Sequence, residues 1–198
     1  MPVVLFVAEE NASPEYDAAS DLLNHFGGGF SYEDHERFEM TNDELFVTTA
    51  LASWKLVIGR IDEGLATLKD GDLQKEVAPG KNRIFYLLGH LAAVHDRMLP
   101  LLGLGERLHP ELDKNFLENP DRKFADEISA ADLRKMWAEV NGKLTAAFET
   151  LRPEDWLKRH TSVSEEDFAK DPSRNRLAVL LSRTNHASFH AGQMRLVN

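Results

Sequence analysis

The clearest pattern in the chain is a run of large apolar residues at helical spacing between residues 129 and 153. They recur every three or four positions, which places them on one face of an α-helix and does not fit the alternation of a β-strand. Ser129 followed by Asp132 is typical of a helix N-terminus, and Pro153 ends the segment. The apolar face consists of Leu133, Trp137, Val140, Leu144, Phe148 and Leu151. Such a helix must bury this face against other elements, so the pattern predicts a core built from several helices.

Three further segments favour helices. The first covers residues 42–67 and follows Thr41, which stands three residues before Glu44 as in a capping box. We expect its buried face to contain Leu45, Ala52, Val57, Ile61 and Leu65. The second covers residues 82–102. The last begins at Asp171-Pro172, a cap followed by a proline at the first helical position, and continues to about residue 197.

The connections on either side of the 129–153 helix are about twenty residues or longer, which exceeds the usual length in simple bundles. We therefore predict an all-α fold: a four-helix bundle with long crossover loops, formed by residues 40–198. Residues 1–39 contain a short apolar run and three consecutive glycines, and they precede every helical pattern. They are predicted to be an N-terminal extension of uncertain structure, which either lies on the bundle or is disordered.

Composition narrows the functions. The formal net charge of −10 argues against nucleic-acid binding, because an acidic surface repels phosphate. No apolar run approaches the roughly 20 residues needed to cross a bilayer, and the N-terminus lacks the basic start of a secretory signal. A cytoplasmic location without membrane contact is the expectation. The chain has no cysteine, so any metal site must use histidine or carboxylate ligands.

Two histidines near the C-terminus have a spacing that suits metal binding. His186 and His190 stand four residues apart, so both rings lie on one face of a helix and can reach one ion. Gln193 shares that face and could orient a ligand. The surrounding segment is rich in apolar residues, which predicts a buried helix. Two histidines that hydrogen-bond within a core fit the spacing equally well, and the pattern alone leaves both interpretations open.

The second helical segment offers two candidates for a third ligand. His95 lies in the middle of the apolar face set by Ile84, Leu88, Leu91 and Met98, whereas His90 lies at the edge of that face. Periodicity therefore nominates His95 as the inward residue. A single histidine on such a face is, however, more often a hydrogen-bonded core residue than a ligand. The sequence pattern does not choose between them.

The segment Asn82-Arg-Ile-Phe-Tyr-Leu-Leu-Gly-His-Leu-Ala92, with His186-Ala-Ser-Phe-His-Ala-Gly-Gln193, resembles the DinB/YfiT-like superfamily from about residue 41 onward. The resemblance implies a four-helix bundle in which His90, His186 and His190 bind a divalent ion, commonly zinc, nickel or iron, with His95 next to the site or supporting one of its ligands. It also implies frequent homodimers. Some members of the family are transferases or isomerases that use a low-molecular-weight thiol.

Two functions follow as hypotheses. The first is a metal-dependent enzyme acting on a small molecule, either a thiol S-transferase or a hydrolase. Three neutral imidazoles leave the ion its full charge and an open position for a water or a thiol. The second is a non-catalytic metal-binding or stress-related protein in which the ion ties two helices together. No general base stands out; the candidates near the expected site are His95, Asp96, Glu111 and Glu118.

Overall fold

The computed structural model describes residues 40–197, and the helices of this part are numbered in chain order. Helix α1 spans Asn42–Ala66. The predicted capping box is confirmed: the Thr41 hydroxyl accepts a hydrogen bond from the Glu44 amide, and the Glu44 carboxylate accepts one from the Thr41 amide. These two bonds satisfy amides that have no partner inside the helix. The predicted extension 1–39 lies outside the described residues.

The buried face of α1 differs from the predicted one at its N-terminal end. Leu45 is 53% exposed and Ala52 is exposed, so both were wrongly placed in the core. The helix turns the neighbouring positions inward instead, because α8 packs along it and sets which side is covered. Its buried residues are Val47, Ala50, Trp54, Val57, Ile58, Ile61 and Leu65.

The second and third long helices agree with the patterns in the sequence. Helix α2 spans Ile84–Asp96 and is followed after one residue by the short helix α3, Met98–Leu101. Helix α5 spans Ala130–Phe148 and begins at Ser129, whose hydroxyl accepts a hydrogen bond from the Asp132 amide. Trp137 and Phe148 are 2% and 3% exposed, as the helical spacing predicted.

The last long helix, α8, spans Arg176–Met194 and starts later than predicted. Asp171 does not cap it, because its carboxylate accepts hydrogen bonds from the amide and hydroxyl of Ser173. The cap is Asn175, whose side-chain oxygen accepts from the Ala178 amide. The helix is also less buried than expected, since Leu181 and Phe189 are exposed. Apolar content around the whole helix therefore did not mean burial on all sides.

Short helices occupy the long connections: α4 (Leu112–Phe116) between α3 and α5, and α6 (Pro153–Trp156) and α7 (Glu165–Lys170) between α5 and α8. Two 3-10 helices cover Asp70–Gln74 and Arg195–Val197. The connection between α3 and α5, called the first crossover below, is anchored at Arg83. The buried guanidinium of Arg83 pairs with Asp121 and Asp126. This ion pair holds the crossover that carries α4 next to the start of α2.

The four long helices form the predicted bundle. Helix α1 packs against α8, α2 packs against α5, and α2 also contacts α8. Their shared core is rich in aromatic residues, with Trp54 against Phe148 and Phe148 against Trp156. Within residues 40–197 there is no β-strand, only two isolated bridges, so the predicted all-α fold is confirmed. None of the helices in this described part is long and apolar enough to cross a membrane.

Candidate metal centre

Three histidine side chains from two helices meet between α2 and α8. His90 projects from α2, and His186 and His190 project from α8, one turn apart. The Nε2 atom of His186 lies 3.1 Å from Nε2 of His90 and 3.0 Å from Nε2 of His190. All three residues are half-buried. The fold thus gathers three ring nitrogens from distant parts of the chain into one cluster.

The His90 ring is oriented by a hydrogen bond from Nδ1, the ring nitrogen that faces away from the cluster, to a backbone carbonyl. Its Nδ1 atom lies 3.0 Å from the carbonyl oxygen of Phe116, the last residue of α4. A carbonyl can only accept, so Nδ1 carries the hydrogen and the neutral ring presents a free lone pair at Nε2. Gly89 makes this approach possible, because a Cβ atom there would overlap the fully buried Phe116 ring.

His190 has an equivalent support. Its Nδ1 atom donates to the side-chain oxygen of Gln193, 2.7 Å away on the same face of α8, so its Nε2 atom is also free of hydrogen in the neutral ring. The position of Gln193 was expected from helical spacing. His186 differs, because its Nδ1 atom is buried and has no hydrogen-bond partner among the described residues.

Burial favours the uncharged form of these rings. Desolvation lowers the pKa of His186 to about 4, and the nearby rings of His190 and His90 and the charge of Arg183 act in the same direction. Desolvation also lowers the pKa of His190, partly offset by its hydrogen bond to Gln193. Neutral imidazole is the form that binds metals. These two rings are therefore ready to act as ligands at neutral pH.

The arrangement fits a divalent transition-metal ion. Two nitrogens bound to one such ion at ~2.0–2.1 Å can be at most about 4.2 Å apart, and the two shortest separations here satisfy that limit. The lone pairs of His90 and His190 both face His186, an arrangement that a shared cation stabilises. Imidazole is a suitable donor for zinc, nickel and iron. In residues 40–197 no other group of three potential ligands is this close together, and no carboxylate joins the cluster.

His95 lies elsewhere, in the bundle core. Periodicity correctly predicted that it faces inward, and it is 0% exposed between the rings of Trp54 and Trp137. Its Nδ1 atom donates to Asn141, whose amide group donates in turn to the Trp137 carbonyl. Burial lowers the pKa of His95 to about 3. It is a neutral core histidine and is not part of the three-histidine cluster.

The carboxylates considered as general bases are not gathered at the cluster. Asp96 is fully buried and accepts hydrogen bonds from Arg107 and from the amides of Leu108 and His109. Glu111 is exposed and bonds to His109. Glu118 is also exposed. Asp96 has a structural role: it fixes the start of the first crossover.

Two groups that act on the histidine cluster were not predicted from the sequence: the carbonyl of Phe116 and the side chain of Arg183. The carbonyl of Phe116 acts through backbone placement 26 residues from His90, so no local pattern marks it. Arg183 could have been found, since it stands three residues before His186 and seven before His190, on the same helical face.

The fold and the cluster define a class: a four-helix bundle with three histidines from two of its helices, placed where a divalent ion can bind. The family model of the DinB superfamily matches residues 53–194, well over half of the chain. This chain therefore belongs to the DinB superfamily, as the resemblance indicated.

Comparison with solved structures agrees on the fold. The chain is similar to the crystal structure of a conserved protein from Enterococcus faecalis, with a TM-score of 0.51 and 19% identity. The match covers 80% of this chain and 98% of the other. At this identity it supports the fold alone. No curated protein matches the chain.

Proposed function

We propose that His90, His186 and His190 bind one divalent metal ion, and that the bound protein is an enzyme acting on a small molecule. One observation carries the proposal: the Nε2 atoms of the three histidines lie together. In His90 and His190 the other ring nitrogen, Nδ1, donates a hydrogen bond to a fixed acceptor. Such outer hydrogen bonds orient histidine ligands and raise their basicity. Zinc, nickel and iron are the metals considered.

An enzyme is favoured over a closed structural site because only three protein ligands are present in the described residues. Structural zinc sites use four protein ligands, whereas catalytic sites keep a position for a water or substrate. An ion held by these three histidines would lower the pKa of a bound water or thiol and so supply a nucleophile at neutral pH. The reaction is then a thiol S-transfer or a hydrolysis, and a thiol as co-substrate would explain why a cysteine-free chain needs no nucleophile of its own.

The residues of the chain have separate tasks in this proposal. His90 and His190 hold their ring orientation through the Phe116 carbonyl and Gln193. His186 is the central residue of the cluster, because its Nε2 atom lies next to those of His90 on α2 and His190 on α8. The half-buried rings leave the site open to a small molecule, while the acidic protein as a whole disfavours nucleic acid.

The test uses the metal-loaded protein with a panel of thiols and a fluorogenic electrophile, and in parallel a chromogenic ester. Turnover in one assay should depend on added metal and should be lost in His186→Ala. The matched control is His109→Ala, a histidine that bonds to Glu111 and Glu139 outside the cluster. If neither assay shows metal-dependent turnover but removal of the ion lowers the unfolding temperature, the non-catalytic role in tying α2 to α8 is supported instead.

The homodimer implied by the family resemblance is also part of the proposal. Phe46 of α1 and Leu181 of α8 are exposed and line one apolar cleft with Leu157 and Leu177. Exposed apolar patches of this kind mark association surfaces. Light scattering after size exclusion should give twice the 22.4 kDa chain mass. Phe46→Lys should shift the protein to the monomer mass; a monomeric wild-type protein would refute the dimer.

A further inference from the structure

A second polar site lies at the N-terminal half of α8. A cleft of about 270 Å³ is lined there by His160, Ser173, Arg174, Asn175, Ser182 and Arg183, among others. The Nδ1 atom of His160 and the Nε atom of Arg183 are buried, and neither has a hydrogen-bond partner among the described residues. Buried polar groups without partners carry a free-energy cost, so each one calls for a ligand or a function.

Arg174 and Arg183 at this cleft differ from most other arginines in residues 40–197, although Arg60, Arg176 and Arg195 also lack a carboxylate partner there. Arginines elsewhere mostly pair with carboxylates, as at Arg83, Arg97, Arg107, Arg122, Arg134, Arg152 and Arg159. Within residues 40–197 neither Arg174 nor Arg183 forms an ion pair with a carboxylate. Asp171 is near enough to interact electrostatically with Arg174, but its carboxylate is already held by Ser173. In a chain with net charge −10, this leaves a concentration of positive charge.

Helix α8 adds to the positive potential. It has 19 residues and no acidic residue in its first turn, so no charged side chain there offsets its N-terminal dipole, while the Asn175 side chain caps the Ala178 amide. The remaining lining residues are the polar Ser173, Asn175 and Ser182 and the apolar Ala178 and Val179. Guanidinium groups, an imidazole and a helix N-terminus together form a suitable environment for an oxyanion.

The cleft is close to the histidine cluster. Arg183 is one turn before His186 on α8, a rise of about 4.5 Å along the helix axis. One small molecule could therefore contact both places, with its anionic group at the cleft and its reacting group at the three histidines.

We infer that the cleft formed by His160, Arg174 and Arg183 binds the anionic group, a carboxylate or a phosphate, of the small molecule on which the metal centre acts. This inference rests on the proposed function for the identity of the ligand as a substrate. The anion site itself follows from residues that are not among the three histidines, so it can be tested separately.

The experiment titrates inorganic phosphate, and in parallel acetate, into the full-length metal-loaded protein labelled with ¹⁵N. Amide shifts should concentrate in residues 173–178 and around His160, and they should saturate. Arg174→Ala and Arg183→Ala should weaken binding by about tenfold or more, because each removes a charge-assisted hydrogen bond. Arg60→Ala is the charge-matched control: Arg60 lines a different cleft, with Met194 and Arg195 at the other end of α8, and its removal should leave binding unchanged.

Metal content measured in the same samples separates the two proposals. Saturable shifts at residues 173–178 in a protein that takes up no zinc, nickel or iron when these are offered would support the anion site and refute the metal centre. A metal-loaded protein in which both anions shift only amides near the three histidines, or shift none, would overturn the anion site and leave the metal centre intact. Equal affinities in wild type, Arg174→Ala and Arg60→Ala would also overturn it. The anion that binds with the higher affinity, phosphate or acetate, identifies the group that the cleft prefers.

Discussion

Gly89→Ala is the change that most directly links packing to the proposed metal centre. Gly89 precedes His90 on α2, and a Cβ atom there would overlap the Phe116 ring. That ring is fully buried and packs against Phe85, Tyr86 and Phe124 at centroid distances of 5.8, 6.0 and 5.4 Å. It has little room to move away. The new methyl group should therefore push α4 from α2 and weaken the contact between the Phe116 carbonyl and His90.

The magnitude follows from two opposing effects. Overpacking a filled core costs ~1–3 kcal/mol, whereas alanine is favoured over glycine inside a helix by ~1 kcal/mol. The net loss of unfolding free energy should be ~0–2 kcal/mol. Gly142→Ala is the matched control, since Gly142 lies inside α5 and, apart from its chain neighbours and the backbone of α5 itself, no heavy atom lies within 4 Å of the position that a Cβ atom would take there. This control should be stabilised by up to ~1 kcal/mol, so the two variants should differ by ~1–3 kcal/mol.

Denaturant titration of both variants measures this difference, and a competing chelator measures metal affinity. Loss of an outer hydrogen bond to a histidine ligand typically weakens metal binding ~10–100-fold. Gly89→Ala should show that loss, and Gly142→Ala should bind metal like the wild type. If Gly89→Ala is as stable as Gly142→Ala and keeps its metal affinity, the ring of Phe116 yields freely and the role assigned to Gly89 is wrong.

Four further predictions concern the two histidines of α2, the core and the domain boundary. His90→Ala should lose metal to a chelator, whereas His95→Ala should retain it; the reverse result would make His95 the ligand. Burial lowers the pKa of His95 to about 3 in the folded state, from ~6.5 when unfolded, so protonation favours unfolding. The free energy of unfolding should therefore fall by up to ~1.4 kcal/mol per pH unit below about 6.5. His95→Gln should flatten that slope in denaturant titrations between pH ~6.5 and ~4.5, and an unchanged slope would contradict the prediction. Phe148→Ala should cost ~3–5 kcal/mol, since its ring packs against Trp54 and Trp156, and a loss below about 1 kcal/mol would mean that this face is not core. Removal of residues 1–39 should leave a folded domain that binds metal, and an insoluble product would refute the boundary.

The sequence predicted the helices best where spacing and caps agreed. In α5 both were present, and the expected buried face matches the structure from Leu133 to Phe148. In α1 the cap was right but the buried face was wrong at Leu45, because a helix partner decides which apolar residues are covered. At α8 the Asp171-Pro172 pair predicted the wrong start of the helix. Asn175 caps the helix instead, because the Asp171 carboxylate accepts a hydrogen bond from Ser173 in a local turn.

The candidate site was only partly predictable. Spacing placed His186, His190 and Gln193 on one face of α8, and the structure brings the three together. Spacing alone pointed to His95 on α2, and the family resemblance was needed to choose His90. Periodicity reports how deeply a residue is buried, whereas a ligand needs to lie at the edge of the core, where an ion and a small molecule can reach it. The carbonyl that orients His90 comes from a distant crossover, which no local pattern reveals.

The measurement that tests the central claim most directly is the metal content of the purified full-length protein and its histidine variants. Elemental analysis should find close to one divalent ion per chain in the wild type and in His109→Ala. His90→Ala, His186→Ala and His190→Ala should each lose it, because a site reduced to two ligands loses most of its affinity. Metal at the wild-type level in all three variants, or none in the wild type after growth with zinc, nickel and iron, would contradict the three-histidine centre.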